Sequence, residues 1–158
     1  MDPGPGFAFS ASAEETAATE QCTWRQKLLC GEVHDDNCYA LQGAGHAGLF
    51  GNANSVLDYA EGLLKESSHT RQVNELIRTP LSSTRTHGWL RAHKGWSGGS
   101  RCSDQTIGHT GFTGTGVWID FYNKRAWTLL TNRIHPTRHT QSGISELRCA
   151  VSDAICTP

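Results

Sequence analysis

The stretch that most limits what this chain can fold into is 107–121, IGHTGFTGTGVWIDF. Val117, Trp118 and Ile119 are the β-branched and aromatic residues that suit a pleated strand, yet four of the first ten residues are glycine. Glycine inside a strand forfeits packing and costs backbone entropy, so it marks a bulge or a place where a ligand or a second backbone comes close. The expectation is a strand whose edge is open to approach, with His109 at that edge. FYNKR, 121–125, follows as a tight connection with Asn123 suited to positive φ, and it leads into AWTLLTNRI, a second run of strand formers. Two such runs joined by a short turn predict an antiparallel hairpin.

The rest of the composition narrows the class. At 158 residues the chain matches one domain large enough to bury a core. Lys and Arg total 14 against 15 Asp and Glu, which leaves no electrostatic footprint for nucleic acid or an anionic membrane surface. No apolar run approaches the roughly eighteen residues of a membrane helix, so no membrane span is expected. The N-terminus has an acid at Asp2, no basic residue through Ala13 and no apolar block, and does not read as an export signal; nothing here assigns a compartment. Cys22, Cys30, Cys38, Cys102, Cys149 and Cys156 contain no C-x-x-C pair, so separate reduced thiols are expected. The wide spacing of the first three, even with His34 among them, does not match zinc knuckles, whose ligands lie two to four residues apart.

Residues 1–19, rich in Gly, Ala, Ser and Pro, read as an irregular N-terminal segment, and 20–158 as the domain. Residues 22–52 are loop-like but dense in Gly, His and Asp, a composition more typical of functional loops than of filler. Asn54 or Ser55 can cap a helix whose Val56, Leu57, Tyr59, Ala60, Leu63 and Leu64 share a buried face. A second helix covers 71–78 with Val73, Leu76 and Ile77 inward and Pro80 beyond its end. A strand is expected over 86–92, then a glycine-rich excursion over 94–106 in which Trp96 is the tryptophan expected to face a ligand; Trp89, Trp118 and Trp127 suit packing. Residues 142–155 predict a terminal helix with Ile144, Leu147, Val151 and Ile155 on the face packed against the hairpin. Helices on either side of an antiparallel sheet make an α+β arrangement.

Two segments in combination carry a resemblance. GEVHDDNCYALQGAGHAGLFGNANSVLDYAEGLL, 31–64, and GHTGFTGTGVWIDFYNKRAWTLLTNRIHPTRH, 108–139, resemble the C-terminal part of serine β-lactamase-like hydrolases, relatives of penicillin-binding proteins and class C β-lactamases. The resemblance implies a partial β-lactamase/DD-peptidase-like fold, an acyl substrate (a β-lactam, D-amino-acid peptide or ester), no cofactor and no metal. His109, Thr110 and Gly111 match the family's Lys/His-Thr-Gly motif on the strand that borders the cleft, where the substrate lies along the strand edge. By the same implication the Phe112 N–H donates to the oxyanion, a contribution of about 3 kcal/mol per preorganised donor; His109 steadies the substrate or the proton-transfer network, Thr110 offers its hydroxyl, and His34 and His46 line the cleft.

The family's other two motifs are absent. No lysine has a serine three residues before it, and the tyrosines read YAL, YAE and YNK, so neither Ser-x-x-Lys nor Tyr-x-Asn is present. Without nucleophile and base the lone chain is expected to be inactive as an acyl-transfer enzyme, a C-terminal portion whose uncovered core surface favours self-association. Two alternatives stand beside this reading: a non-catalytic binding module, and a metal-dependent hydrolase drawing on His34, Asp35, His46, His109, His135 and His139, although Pro136 interrupts the last pair. GWSGG at 95–99 fits Gly-x-Ser-x-Gly, with Asp120 and His135 following in order, but a polar LRAHK precedes it and no helix start follows.

Overall fold

A computed structural model describes residues 4–67 and 70–157; Asp2, used in reading the N-terminus, lies outside them. The elements in chain order are β1 (Phe7–Ala8), β2 (Gln21–Cys22), β3 (Lys27–Leu28), α1 (Asp36–Ala40), β4 (Phe50–Gly51), α2 (Ala53–Leu64), α3 (Arg71–Arg78), β5 (Leu90–Arg91), β6 (Thr106–Thr110), β7 (Thr115–Asp120), β8 (Arg125–Leu130) and α4 (Ile144–Cys156). β5 to β8 form one antiparallel sheet in sequence order, while β1 pairs with β4 and β2 with β3. The α+β class holds, with helices flanking an antiparallel sheet. Among the described residues no helix is long and apolar enough to cross a membrane.

The sheet divides its side chains between two cores by the period-two alternation of strands. Ile107, Ile119, Val117 and Ala126 point to one face, where Ala60 and Leu63 of α2 and Ile77 of α3 cover them. Trp118 and Trp127 point to the other, stacked with centroids 6.0 Å apart and closed over by Trp96. The indole nitrogens find partners there: Trp127 Nε1 donates to Ser152 Oγ of α4 at 2.9 Å, and Trp96 Nε1 donates to the Gly99 carbonyl at 3.0 Å. Trp96 is therefore buried core, not a ligand-facing ring.

This second core also explains two of the glycines. Gly108 is the cross-strand partner of Trp118 and Gly116 lies two residues before it, and a Cβ on either would collide with the Trp118 ring. They make room for an indole inside the protein, not for a substrate outside it.

At one end of the sheet the hairpin turn is organised by Asp120, fully buried at the end of β7. Its carboxylate accepts from Ser103 N (3.1 Å), Ser103 Oγ (2.6 Å), Asn123 N (3.1 Å) and Asn123 Nδ2 (2.8 Å). Burial pushes this carboxyl up, but the hydrogen bonds from Ser103 and Asn123 outweigh it and hold it below its ordinary value. Asn123 thus serves as a donor, and Lys124 takes the left-handed conformation instead, at φ 52°.

The three expected helices fall where predicted, with shifted faces, and α1 adds a short helix inside the stretch read as loop. α2 begins at Ala53 because Asn52, not Asn54 or Ser55, caps it, accepting from Ser55 N at 3.0 Å. α3 covers the expected span, but it buries Asn74 and Ile77 while Val73 and Leu76 are exposed; Asn74 Nδ2 donates to the Leu63 carbonyl at 2.8 Å, and this polar bond selects the buried face. On α4 the buried residues are Arg148 and Ser152, whereas Leu147 and Ile155 are exposed. The expected strand over 86–92 shortens to Leu90–Arg91. Within the N-terminal segment read as irregular, Phe7 and Ala8 form β1 and pair with β4. All six cysteines are free, and only Cys22 and Cys38 are fully buried.

Candidate active site

The site grows from the other end of the same sheet. β5 pairs with β6 only at Ile107 and Gly108, so His109 and Thr110 are matched by β7 on one side alone, opposite Val117 and Gly116. By alternation His109 shares a face with Ile107, the α2 side, and its ring is exposed. Beyond Thr110 the chain turns tightly: Gly111 N donates to the Thr115 carbonyl at 2.9 Å and Gly114 N to the Gly111 carbonyl at 3.1 Å. Gly114 sits at φ 117°, where a Cβ would strike the Thr131 side chain and the Arg133 backbone, so this position requires glycine.

Two arginines fix the carbonyls of this turn. Arg148 Nη2, from α4, donates to the Gly111 carbonyl at 3.0 Å and the Thr115 carbonyl at 2.7 Å. Arg133 Nε donates to the Phe112 carbonyl at 2.7 Å while Arg133 N donates to the Thr113 carbonyl at 2.9 Å. Neither guanidinium has a carboxylate within ion-pair distance among the described residues. Burial, then the charge of Arg133, hold Arg148 below the ordinary arginine value. Among the described residues the Phe112 N–H donates to no acceptor.

A polar wall stands against the Phe112 ring. His34 stacks on it, with centroids 5.7 Å apart and planes 24° from parallel. The Arg133 guanidinium carbon lies 4.4 Å and that of Arg138 5.8 Å from the ring centroid, cation–π distances. Behind them, buried Glu20 gathers Arg138 Nε (2.7 Å), Arg138 Nη2 (2.6 Å), Arg138 N (2.9 Å) and His34 Nε2 (2.9 Å). Chiefly through the Arg138 hydrogen bond, the Glu20 carboxyl is lowered from 4.5 to about 2. Asp35 caps α1 by accepting from Cys38 N at 2.8 Å, and its Oδ1 lies 3.0 Å from His46 Nε2. The Cys38 N–H and then His46 hold Asp35 below the ordinary carboxylate range.

Thus His34 meets the turn formed by His109, Thr110, Gly111 and Phe112, while His46 pairs with Asp35, the chain neighbour of His34. Glu20, Arg133, Arg138 and Arg148 were missed. Arg133 and Arg138 lie within NRIHPTR of the second matched segment, but nothing local in the sequence ties any of the four to a glycine turn. The histidines proposed for a metal have other company: His34 has Glu20, His46 has Asp35, and His135 Nδ1 lies 3.2 Å from the Thr19 carbonyl. The described residues gather no group of three or more His, Cys, Asp or Glu able to hold a metal ion. Ser97 is hydrogen-bonded by Trp118 Nε1 at 3.3 Å, while Asp120 serves the hairpin turn, so GWSGG builds no triad with Asp120 and His135.

With this geometry in place, comparison with known proteins is informative. The family model for Beta-lactamase matches residues 2–151. The chain belongs to the beta-lactamase family. It is 34% identical over 124 residues to an N-acetylmuramyl-L-alanine amidase of Bacillus subtilis (strain 168), covering 70% of this chain and 28% of that protein. A protein of Salmonella agona (strain SL483) bearing the name D-alanyl-D-alanine carboxypeptidase is 32% identical over 124 residues, covering 70% of this chain and 29% of its own length. The chain therefore spans less than a third of these curated relatives. In fold it is similar to the crystal structure of a beta-lactamase from Mycobacterium bovis, with a TM-score of 0.58 and 21% identity over 69% of this chain and 44% of that one.

Proposed function

We propose that this chain forms the oxyanion-side wall of the cleft of a beta-lactamase-family serine hydrolase, a wall that receives an acyl substrate along β6. The observation that carries this reading is the unclaimed Phe112 N–H, placed directly after His109, Thr110 and Gly111 and beside an open strand edge. A tetrahedral intermediate concentrates negative charge on one oxygen, and a donor with no competing acceptor meets it without first breaking another bond. The unpaired Arg133 and Arg148 charges favour an anion at that point. The exposure of His109 at the end of β6 supports a contact between this side chain and the substrate. Substrates of this class are β-lactams, D-amino-acid peptides, cell-wall fragments and esters.

Because Ser-x-x-Lys and Tyr-x-Asn are absent from the sequence, the lone chain binds without turning over. The test has two arms. Incubation with a fluorescent penicillin and with a fluorophosphonate, read by intact mass, is expected to give no covalent adduct; a stoichiometric adduct on any serine here would overturn the assignment of the nucleophile to another segment. Mixing the chain with the Ser-x-x-Lys-bearing segment of a family relative is expected to produce turnover of an activated ester, and a stable complex without turnover would favour a non-catalytic module. Exposed Val73, Leu76, Leu147 and Ile155 lead us to expect self-association of the chain alone, read by size-exclusion chromatography with light scattering.

A further inference from the structure

We propose that Arg148 is a positioning residue that aims the Phe112 N–H, through its hold on the Gly111 carbonyl. This inference rests on the reading of that N–H as an oxyanion donor. The Gly111 carbonyl and the Phe112 N–H belong to one peptide unit, which is planar and trans, so the two bonds point in opposite directions. Fixing the carbonyl fixes the donor. Arg148 Nη2 reaches that oxygen at 3.0 Å, and the same nitrogen reaches the Thr115 carbonyl at 2.7 Å. One guanidinium nitrogen thereby clamps both ends of the turn.

The placement of Arg148 is hard to explain by stability. It is only 8% exposed, its Nε has no hydrogen-bond partner, and no carboxylate pairs with it among the described residues. Burying a charge without a counterion is unfavourable unless hydrogen bonds compensate it. What the guanidinium supplies in return is a second donor, beside Gly114 N at 3.1 Å, to the carbonyl of the Gly111–Phe112 peptide, whose N–H on the opposite side donates to no acceptor among the described residues. Arg133 holds the next carbonyl, that of Phe112, at 2.7 Å, so two successive peptide units are pinned by cations through their oxygens. The clamp also couples α4 to the site, since Arg148 lies in its middle.

The test is made first on the chain itself by amide NMR. In the wild type the Phe112 amide is expected to be as rigid as those of Trp118 and Ile119, with an order parameter near about 0.85 despite its exposed turn. Arg148→Met is expected to loosen the Phe112 amide toward about 0.6 or lower while the β7 amides keep their values. A mobile Phe112 amide in the wild type overturns the proposal even if R148M fails to fold, and a Phe112 amide that R148M leaves rigid overturns it as well. In the enzyme reconstituted with a nucleophile-bearing segment, R148M is expected to lower kcat by about tenfold to a hundredfold with KM little changed, as a misaimed group does. If R148M loosens the amide but leaves kcat unaltered, the oxyanion reading of Phe112 fails instead, and the clamp has no catalytic part.

Discussion

The two ends of the β6–β7–β8 sheet are closed by opposite chemistry. At the Asp120 end a buried anion accepts four hydrogen bonds, two of them from the backbone N–H groups of Ser103 and Asn123. At the Gly111 end cations donate to backbone carbonyls, so the acceptors are consumed and the Phe112 N–H is left over. The comparison teaches that a buried carboxylate braces a turn by collecting N–H groups, whereas a guanidinium braces one by its carbonyls and leaves an N–H such as that of Phe112 without an acceptor among the described residues.

The largest way to break this contrast is Asp120→Ala, which orphans the donors of Ser103 and Asn123 and opens the hairpin. A loss of about 3–4 kcal/mol is expected, measured by urea unfolding followed through tryptophan fluorescence. A loss below about 1 kcal/mol would mean that the carboxylate does not seal that end.

Next comes Glu20→Gln, which leaves Arg138 and His34 without their anion behind the Phe112 ring. Because Arg138 is partly exposed, the expected loss is about 2 kcal/mol, toward the lower end for a broken buried pair. The pH dependence has a definite sign. The folded carboxyl titrates at about 2 and the free one near 4.5, so the stabilisation is fully present above the upper value and is lost as pH falls through the lower one. Wild-type stability should therefore decline across that window more steeply than that of E20Q, as read from urea midpoints at successive pH values.

Smaller still is the stability effect of Arg148→Met. Each of the two carbonyls loses one donor but keeps a backbone one, Gly114 N on Gly111 and Gly111 N on Thr115, while an unpaired buried charge is removed, so a net change within about 1 kcal/mol is expected in the same unfolding assay. That near-neutrality would sharpen the contrast with Asp120, whose loss falls on folding rather than on presentation of a donor. Least of all, His46→Ala removes one exposed partner of Asp35 and should change stability by no more than about 0.5 kcal/mol.

Some of this was legible in the sequence. The hairpin, the helices at Ala53–Leu64 and Arg71–Arg78 and the terminal helix follow from apolar spacing and turn residues, which act over a few positions. Their buried faces were not legible. Asn74 is inside because the Leu63 carbonyl needs a donor, and Arg148 and Ser152 are inside because turn carbonyls and the Trp127 indole meet them; an apolar stripe says nothing of polar groups that satisfy one another. The glycines of the opening strand were taken as room for a ligand or a second backbone, whereas at Gly108 and Gly116 the group that approaches is the Trp118 side chain of the same sheet.

By itself, the sequence determined the local pieces, the α+β class and the family, because strand alternation, helix spacing and a motif such as His-Thr-Gly are written in neighbouring residues. Only the tertiary structure decided what surrounds the Phe112 N–H. Arg148 and Gly111 are 37 positions apart and Arg138 and Glu20 are 118 apart. Contacts of that separation arise when packed layers bring distant segments together, and no periodicity within either segment encodes them.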